Sequence, residues 1–193
     1  MTTANKISIF RILLVPVFVV EVLYYAEDGD EIHRLAAVLC FGIAAISDGV
    51  DGYIARRYNQ RSELGAILDP LGDKLLLVAG IVLLSLNNAP HLPRLPLWLV
   101  VTVVSRDVII LIGLLIIKHV CDKVIVRPAM VGKVATVLLM ACILWGLLKW
   151  PANWLRWICL AAAACTGASM VVYLVDGIRQ LSASPSSVAS PKQ

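Results

Sequence analysis

Six apolar runs, each about 20 residues long and separated by short polar breaks, constrain this chain more than any other feature. They cover approximately Ile7 to Tyr25, Leu35 to Arg56, Leu64 to Leu86, Leu95 to Ile117, Met130 to Leu148 and Trp154 to Leu174. A helix needs about 20 residues to cross a hydrocarbon core of roughly 30 Å, and a continuous apolar run satisfies its backbone internally, as lipid demands. Barrel strands would instead alternate over short segments. With 60% hydrophobic and 16% charged residues, the chain is too apolar for a soluble domain of 193 residues. The sequence therefore predicts an all-α integral membrane protein, a bundle of six transmembrane helices.

The first run follows Lys6 and Arg11 but lacks a small-residue cleavage site near Glu21 to Glu27, so it reads as a retained helix. Segments at one membrane face hold Lys6, Arg57, Arg61, Lys118, Lys123, Arg127, Arg179 and Lys192. The alternate loops hold Arg34, Arg94, Lys149 and Arg156, with acids at Glu27, Asp28, Asp30 and Glu31. That asymmetry places both termini in the cytoplasm. Residues 1–181 form the membrane domain, and 182–193, rich in Ser, Ala and Pro, form a disordered cytoplasmic tail. Cys40, Cys121, Cys142, Cys159 and Cys165 have no metal-ligand spacing and read as packing residues. His33, His91 and His119 make no cluster and are assigned no chemistry.

Residues 47–77, SDGVDGYIARRYNQRSELGAILDPLGDKLLL, put four aspartates near the ends of two consecutive helices. Each charge in the hydrocarbon region costs about 3 kcal/mol, so four unpaired carboxylates would cost roughly 12 kcal/mol before their mutual repulsion. Asp48, Asp51, Gly52, Ala55 and Arg56 follow offsets of one face of helix two, and Gly65, Asp69 and Asp73 repeat every four residues along helix three. An antiparallel pair turning between Arg56 and Glu63 brings Asp51 opposite Asp69, with Asp48 and Asp73 deeper. A cage of hard carboxylate oxygens, without His or Cys, suits Mg²⁺ or Mn²⁺, and four acids accommodate two such ions. Paired ions of this kind serve phosphoryl transfer. Gly52, Ala55 and Gly65 keep the facing surfaces low for a ligand, and Arg56 at the mouth can pair with a diphosphate. Small residues at such spacing also serve helix packing alone, and an aspartate at a helix end can simply be solvated.

At these residues the chain resembles the CDP-alcohol phosphatidyltransferase family, whose signature is DxxDGxxAR, eight residues, then GxxxDxxxD. Asp48, Asp51, Gly52, Ala55, Arg56, Gly65, Asp69 and Asp73 match every specified position. Weaker similarity covers most of the chain and looks closest to the phosphatidylglycerophosphate synthases, through Asn5, Arg11, SRDVII and GKVAT. Ala4 departs from the Pro that many relatives have there. The resemblance implies the CDP-alcohol phosphotransferase fold, a homodimer in a bacterial inner membrane, and an active site opening to the cytoplasm. It makes Asp48, Asp51, Asp69 and Asp73 the metal ligands and Asp73 also the base for the acceptor hydroxyl. Asp48, Gly52, Ala55, Arg56 and Gly65 would line the CDP-lipid site, and attack at the β-phosphorus of CDP-diacylglycerol would release CMP.

Arg106 and Asp107 interrupt the fourth run and Lys133 the fifth, so these charges need partners as well. Arg106 can balance Asp107 or the aspartate cage; alternatively Arg106, Lys133 and Arg127 bind the phosphate of an acceptor. The second reading fits dianionic glycerol 3-phosphate better than a neutral alcohol. Phosphatidylglycerol, the acceptor of a cardiolipin synthase, would use the same groups. A divalent-cation transporter would place its acids near the midplane on broken helices in repeated halves. Here they cluster toward one face beside a basic loop with no second copy, which disfavours transport; a noncatalytic lipid-binding scaffold is the other remote alternative. Membrane lipids are expected partners and nucleic acid is not.

Overall fold

The computed structural model describes residues 3–57, 63–86, 90–120 and 130–182. Six helices follow in order: α1 (Thr3–Asp28), α2 (Glu31–Arg57), α3 (Glu63–Ser85), α4 (Leu97–Val120), α5 (Met130–Leu147) and α6 (Ala152–Ser182). No strand occurs among the described residues. Each helix coincides with one of the apolar runs, but most extend beyond it. α6 continues through Ser182, so the helix includes the first residue assigned to the tail; residues 183–193 lie outside the described residues. Intrahelical hydrogen bonds carry the chain past the end of an apolar run, which hydropathy does not register. Among the described residues, Ser8–Asp28, Met130–Leu147 and Ala152–Arg179 are long and apolar enough to cross a membrane.

The outer surface is what lipid requires. Leu13, Leu39, Val101, Leu111, Leu115, Val137 and Ile178 are all more than half exposed, a pattern that in water would be a large sticky patch. Hydroxyls inside the helices bond to their own backbone. Thr166 donates to the Ala162 carbonyl at 2.7 Å, Ser169 to that of Thr166 at 2.8 Å, and Thr136 to that of Gly132 at 3.0 Å. These bonds matter because an unsatisfied hydroxyl in an apolar medium costs several kcal/mol, on the order of 2–7.

α1 packs along both α2 and α3, α6 packs along α4 and α5, and α3 joins the two groups through α4 and α5. Phe18 and Phe41 hold α1 to α2 with ring centroids 5.7 Å apart. Leu76, Ile81, Leu84, Leu99, Ile143 and Leu147, each at most 2% exposed, fill the junction. α3 and α5 approach so closely there that a Cβ on Gly80 would lie 2.8 Å from Ile143 Cδ1.

Polar contacts close the end of the bundle where α1 turns into α2. Gly29 takes φ 70°, and its N–H reaches the Tyr25 carbonyl at 3.0 Å. A Cβ there would meet the His91 ring at 2.3 Å, so both backbone and space demand glycine. The Asp30 carboxylate caps α2 by accepting from Ile32 N–H at 3.0 Å. α5 ends with Trp150 N–H bonded to the Trp145 carbonyl at 3.3 Å and Lys149 at φ 54°. Left-handed backbone costs a non-glycine residue about 1 kcal/mol. The Lys149 ammonium offsets it by donating to Glu31 Oε1 at 2.8 Å and sitting 5.0 Å from the centre of the Tyr25 ring. Arg34 also donates to Glu31, and its Nη1 reaches the Leu147 carbonyl at 3.0 Å. Glu31 thereby links α2 to the end of α5.

Lys149 first and Arg34 second hold the Glu31 carboxyl well below its ordinary 4.5, at about 2. A depressed carboxylate stabilises the fold above its unfolded pKa, and that contribution is lost as pH falls through the folded value. Glu31→Gln should therefore lower the thermal midpoint of the detergent-solubilised protein at pH 7, and the gap from wild type should close between about pH 4.5 and 2. A gap that persists at the acid end would mean that Glu31 acts through packing rather than charge.

Candidate active site

The signature aspartates occupy the two helix ends that meet at the α2–α3 connection. Asp51 lies six residues before the end of α2 at Arg57, and Asp69 six residues after the start of α3 at Glu63, each about 9 Å along its axis. Asp48 and Asp73 lie nine and ten residues in, about 14 and 15 Å. Counted along the helices, these positions keep the spacing from which the sequence predicts two levels. Gly52, Ala55 and Arg56 on α2 and Gly65 on α3 hold their helical positions. The side-chain contacts of these four, and of Asp48, Asp51 and Asp69, lie outside the described residues, as does Arg127.

Asp73 is the member of the set whose side chain is described, and a third helix holds it. Arg11 of α1, only 1% exposed, places Nη1 at 2.5 Å from Asp73 Oδ1, while Asp73 itself remains 28% exposed. A guanidinium so deeply buried needs a carboxylate; removing one partner of such a pair typically costs about 3–5 kcal/mol. Gly72 packs against the Arg11 stem, where a Cβ would make ordinary contact with Ile12 and Arg11 at 3.4 and 3.5 Å. α1 packs along both α2 and α3, so a third helix joins the pair that carries the signature. Arg11 was legible in principle: it is a charge inside an apolar run, and the partner argument applied to Arg106 applies to it equally.

A second charged group adjoins the first. Lys74 follows Asp73 on α3 and reaches Asp107 Oδ1 at 3.3 Å, and Arg106 Nη1 lies 3.0 Å from the same oxygen. The pairing of Arg106 with a neighbouring acid is thus present. It does not exhaust the guanidinium, because the buried Arg106 Nε has no hydrogen-bond acceptor among the described residues. Its Nη2 faces the start of α5, where a Cβ on Gly132 would lie 3.2 Å away. Arg106 therefore reaches the residue next to Lys133, which is exposed. Lys74 had no role in the sequence reading, although its position beside Asp73 was visible.

Among the described residues no three His, Cys, Asp or Glu side chains gather as a metal site. The buried thiols of Cys142 and Cys159 meet at 3.7 Å between α5 and α6, as packing residues would.

The family model for CDP-alcohol phosphatidyltransferase matches residues 1–168. A CDP-diacylglycerol–glycerol-3-phosphate 3-phosphatidyltransferase of Escherichia coli (strain K12) is 33% identical over 173 residues, covering 87% of this chain and 90% of its own. One of Shigella flexneri is 33% identical with the same coverage. One of Bacillus subtilis (strain 168) is 36% identical over 140 residues, covering 68% of this chain and 69% of its own. A match of that extent, over a chain whose helices carry the complete aspartate signature in register, makes this protein a membrane-enzyme member of the CDP-alcohol phosphatidyltransferase family.

Proposed function

We propose that the protein transfers the phosphatidyl group of CDP-diacylglycerol to glycerol 3-phosphate, giving phosphatidylglycerophosphate and CMP. The observation that carries this is the complete aspartate signature along α2 and α3, with Asp73 held by Arg11 and its neighbour Lys74 linked through Asp107 to Arg106. The names of the relatives support the same donor and acceptor. In this reading all six helices cross a bacterial inner membrane, two copies associate, and the aspartates open to the cytoplasm, where the basic loops lie.

The donor set fits Mg²⁺ or Mn²⁺. It consists of carboxylate oxygens alone, and Asp73 keeps part of its carboxylate exposed at the deeper level despite the Arg11 contact. Two ions held by Asp48, Asp51, Asp69 and Asp73 would neutralise the diphosphate of the donor lipid. Gly52, Ala55 and Gly65 let the cytidine diphosphate lie close to the helices, and Arg56 pairs with its phosphates. Asp73 takes the proton of the acceptor hydroxyl as that oxygen bonds to the β-phosphorus and the bond to the CMP oxygen breaks. Arg11 fixes the Asp73 carboxylate for this task. Arg106, with an Nε still to be satisfied, receives the acceptor phosphate together with Lys133 and Arg127, while Asp107 and Lys74 steady it from behind.

Chelation by EDTA should abolish transfer and excess Mg²⁺ or Mn²⁺ should restore it, because a set of four carboxylates cannot bind a diphosphate unaided. Full turnover in chelated protein would remove the metal from the mechanism. Asp73→Asn keeps the shape but not the basicity, and should cut kcat at least about a hundredfold with CDP-diacylglycerol affinity changed far less. Near-normal turnover would exclude Asp73 as the base.

Arg106→Gln and Lys133→Gln should each raise the KM for glycerol 3-phosphate roughly tenfold or more, at nearly constant KM for CDP-diacylglycerol. The Arg106 variant should fold, since Asp107 keeps Lys74 as its partner. A loss of donor affinity instead would move these residues to the CDP site. Conversion of phosphatidylglycerol in preference to glycerol 3-phosphate would make the enzyme a cardiolipin synthase.

A further inference from the structure

The end of the bundle away from the aspartates holds a cavity of about 560 Å³ between the α3–α4 connection and the start of α6. Leu95, Leu155 and Cys159, at most 4% exposed, form its floor. Arg94, Arg156 and Trp98 line it and are exposed. No Asp or Glu lines it among the described residues. Ser85, to which Arg94 Nε donates at 2.9 Å, lies twelve residues beyond Asp73 on α3, about 18 Å along the axis. The cavity is therefore separate from the candidate active site.

Two features of this cavity have no use in the fold. Arg94 is anchored through Nε, but its terminal nitrogens have no acceptor among the described residues, and Arg156 has no ion-pair partner among them. Two unneutralised guanidiniums that line one cavity above an apolar floor offer an anion charge-assisted partners. The surroundings indicate the source of that anion. Trp98, Trp150, Trp154 and Trp157, 44–69% exposed, gather at the ends of α4, α5 and α6 that meet here. Exposed tryptophans in a ring mark the headgroup level of a membrane. Directly inward, α4 and α6 offer Val101 and Leu160, 62% and 51% exposed, along which acyl chains can lie.

We propose that this cavity is a binding site for an anionic phospholipid, with its phosphate between Arg94 and Arg156 and its glycerol on the Leu95–Leu155 floor. A free phosphate would leave that floor uncovered. A zwitterionic lipid would bring an ammonium beside two guanidiniums, with no carboxylate in the cavity to receive it. The site volume is within the usual range of roughly 300–1,000 Å³ for bound small molecules.

The test uses the full chain, purified in neutral detergent, with three probes at matched concentration: dioleoyl phosphatidic acid, dioleoyl phosphatidylethanolamine and inorganic phosphate. Phosphatidic acid carries no acceptor hydroxyl and is a substrate in neither transfer reaction. Retention is read by native mass spectrometry and binding by the shift in thermal midpoint. Phosphatidic acid should be retained and raise the midpoint, and the other two should not. Arg156→Gln should weaken phosphatidic acid binding roughly tenfold while leaving the lipid-free midpoint unchanged, because Arg156 has no partner to lose. Arg156→Lys, which keeps the charge, should recover much of the binding. Equal retention of phosphatidylethanolamine, an equal shift with inorganic phosphate, or unchanged phosphatidic acid binding in Arg156→Gln would each overturn the proposal.

Discussion

A guanidinium buried in an apolar bundle has to meet a carboxylate, and the contact between Arg11 and Asp73 is where the described part of this structure meets that demand most strictly. Arg11 is sealed at 1% exposure and Asp73 stays partly open. The pair thus fixes one helix register against another and leaves a carboxylate facing the region of the signature. The contact ties α1, which carries no signature residue, to α3 at Asp73.

The two ends of the bundle answer different requirements with similar residue types. At the aspartate end the ion pairs run between helices and leave capacity unused, as in the buried Arg106 Nε. At the other end Glu31 accepts from Lys149, Arg34 and Tyr25, and the first two hold its pKa down. A polar network whose members are all paired rigidifies the fold, whereas an unpaired buried group is costly. The same criterion separates Arg34, which bonds both Glu31 and the Leu147 carbonyl, from Arg94 and Arg156 across the same membrane face.

Between those ends the core needs no special chemistry. Gly80 lets Ile143 approach α3, and helical hydroxyls return their hydrogen bonds to the backbone. With lipid tails as apolar as leucine, close packing of this kind replaces the hydrophobic drive that would assemble the helices in water.

The sequence by itself determined the six helices, because a long continuous apolar run in an apolar medium satisfies its backbone within itself only as a helix. It also carried the complete signature, and a rise of 1.5 Å per residue converts its spacing into an expected depth along each helix. The pairing of Arg106 with Asp107 was within reach for the same reason: neighbours in sequence are neighbours in space. Tertiary structure decided what lies between distant segments. That Arg11 answers Asp73, 62 residues away, that Lys74 shares Asp107 with Arg106, and that Lys149 crosses to Glu31 follow from which helices touch. Hydropathy cannot encode that choice, because every apolar face is equally content against lipid or against another helix; only shape and the obligation to pair buried charges select one packing.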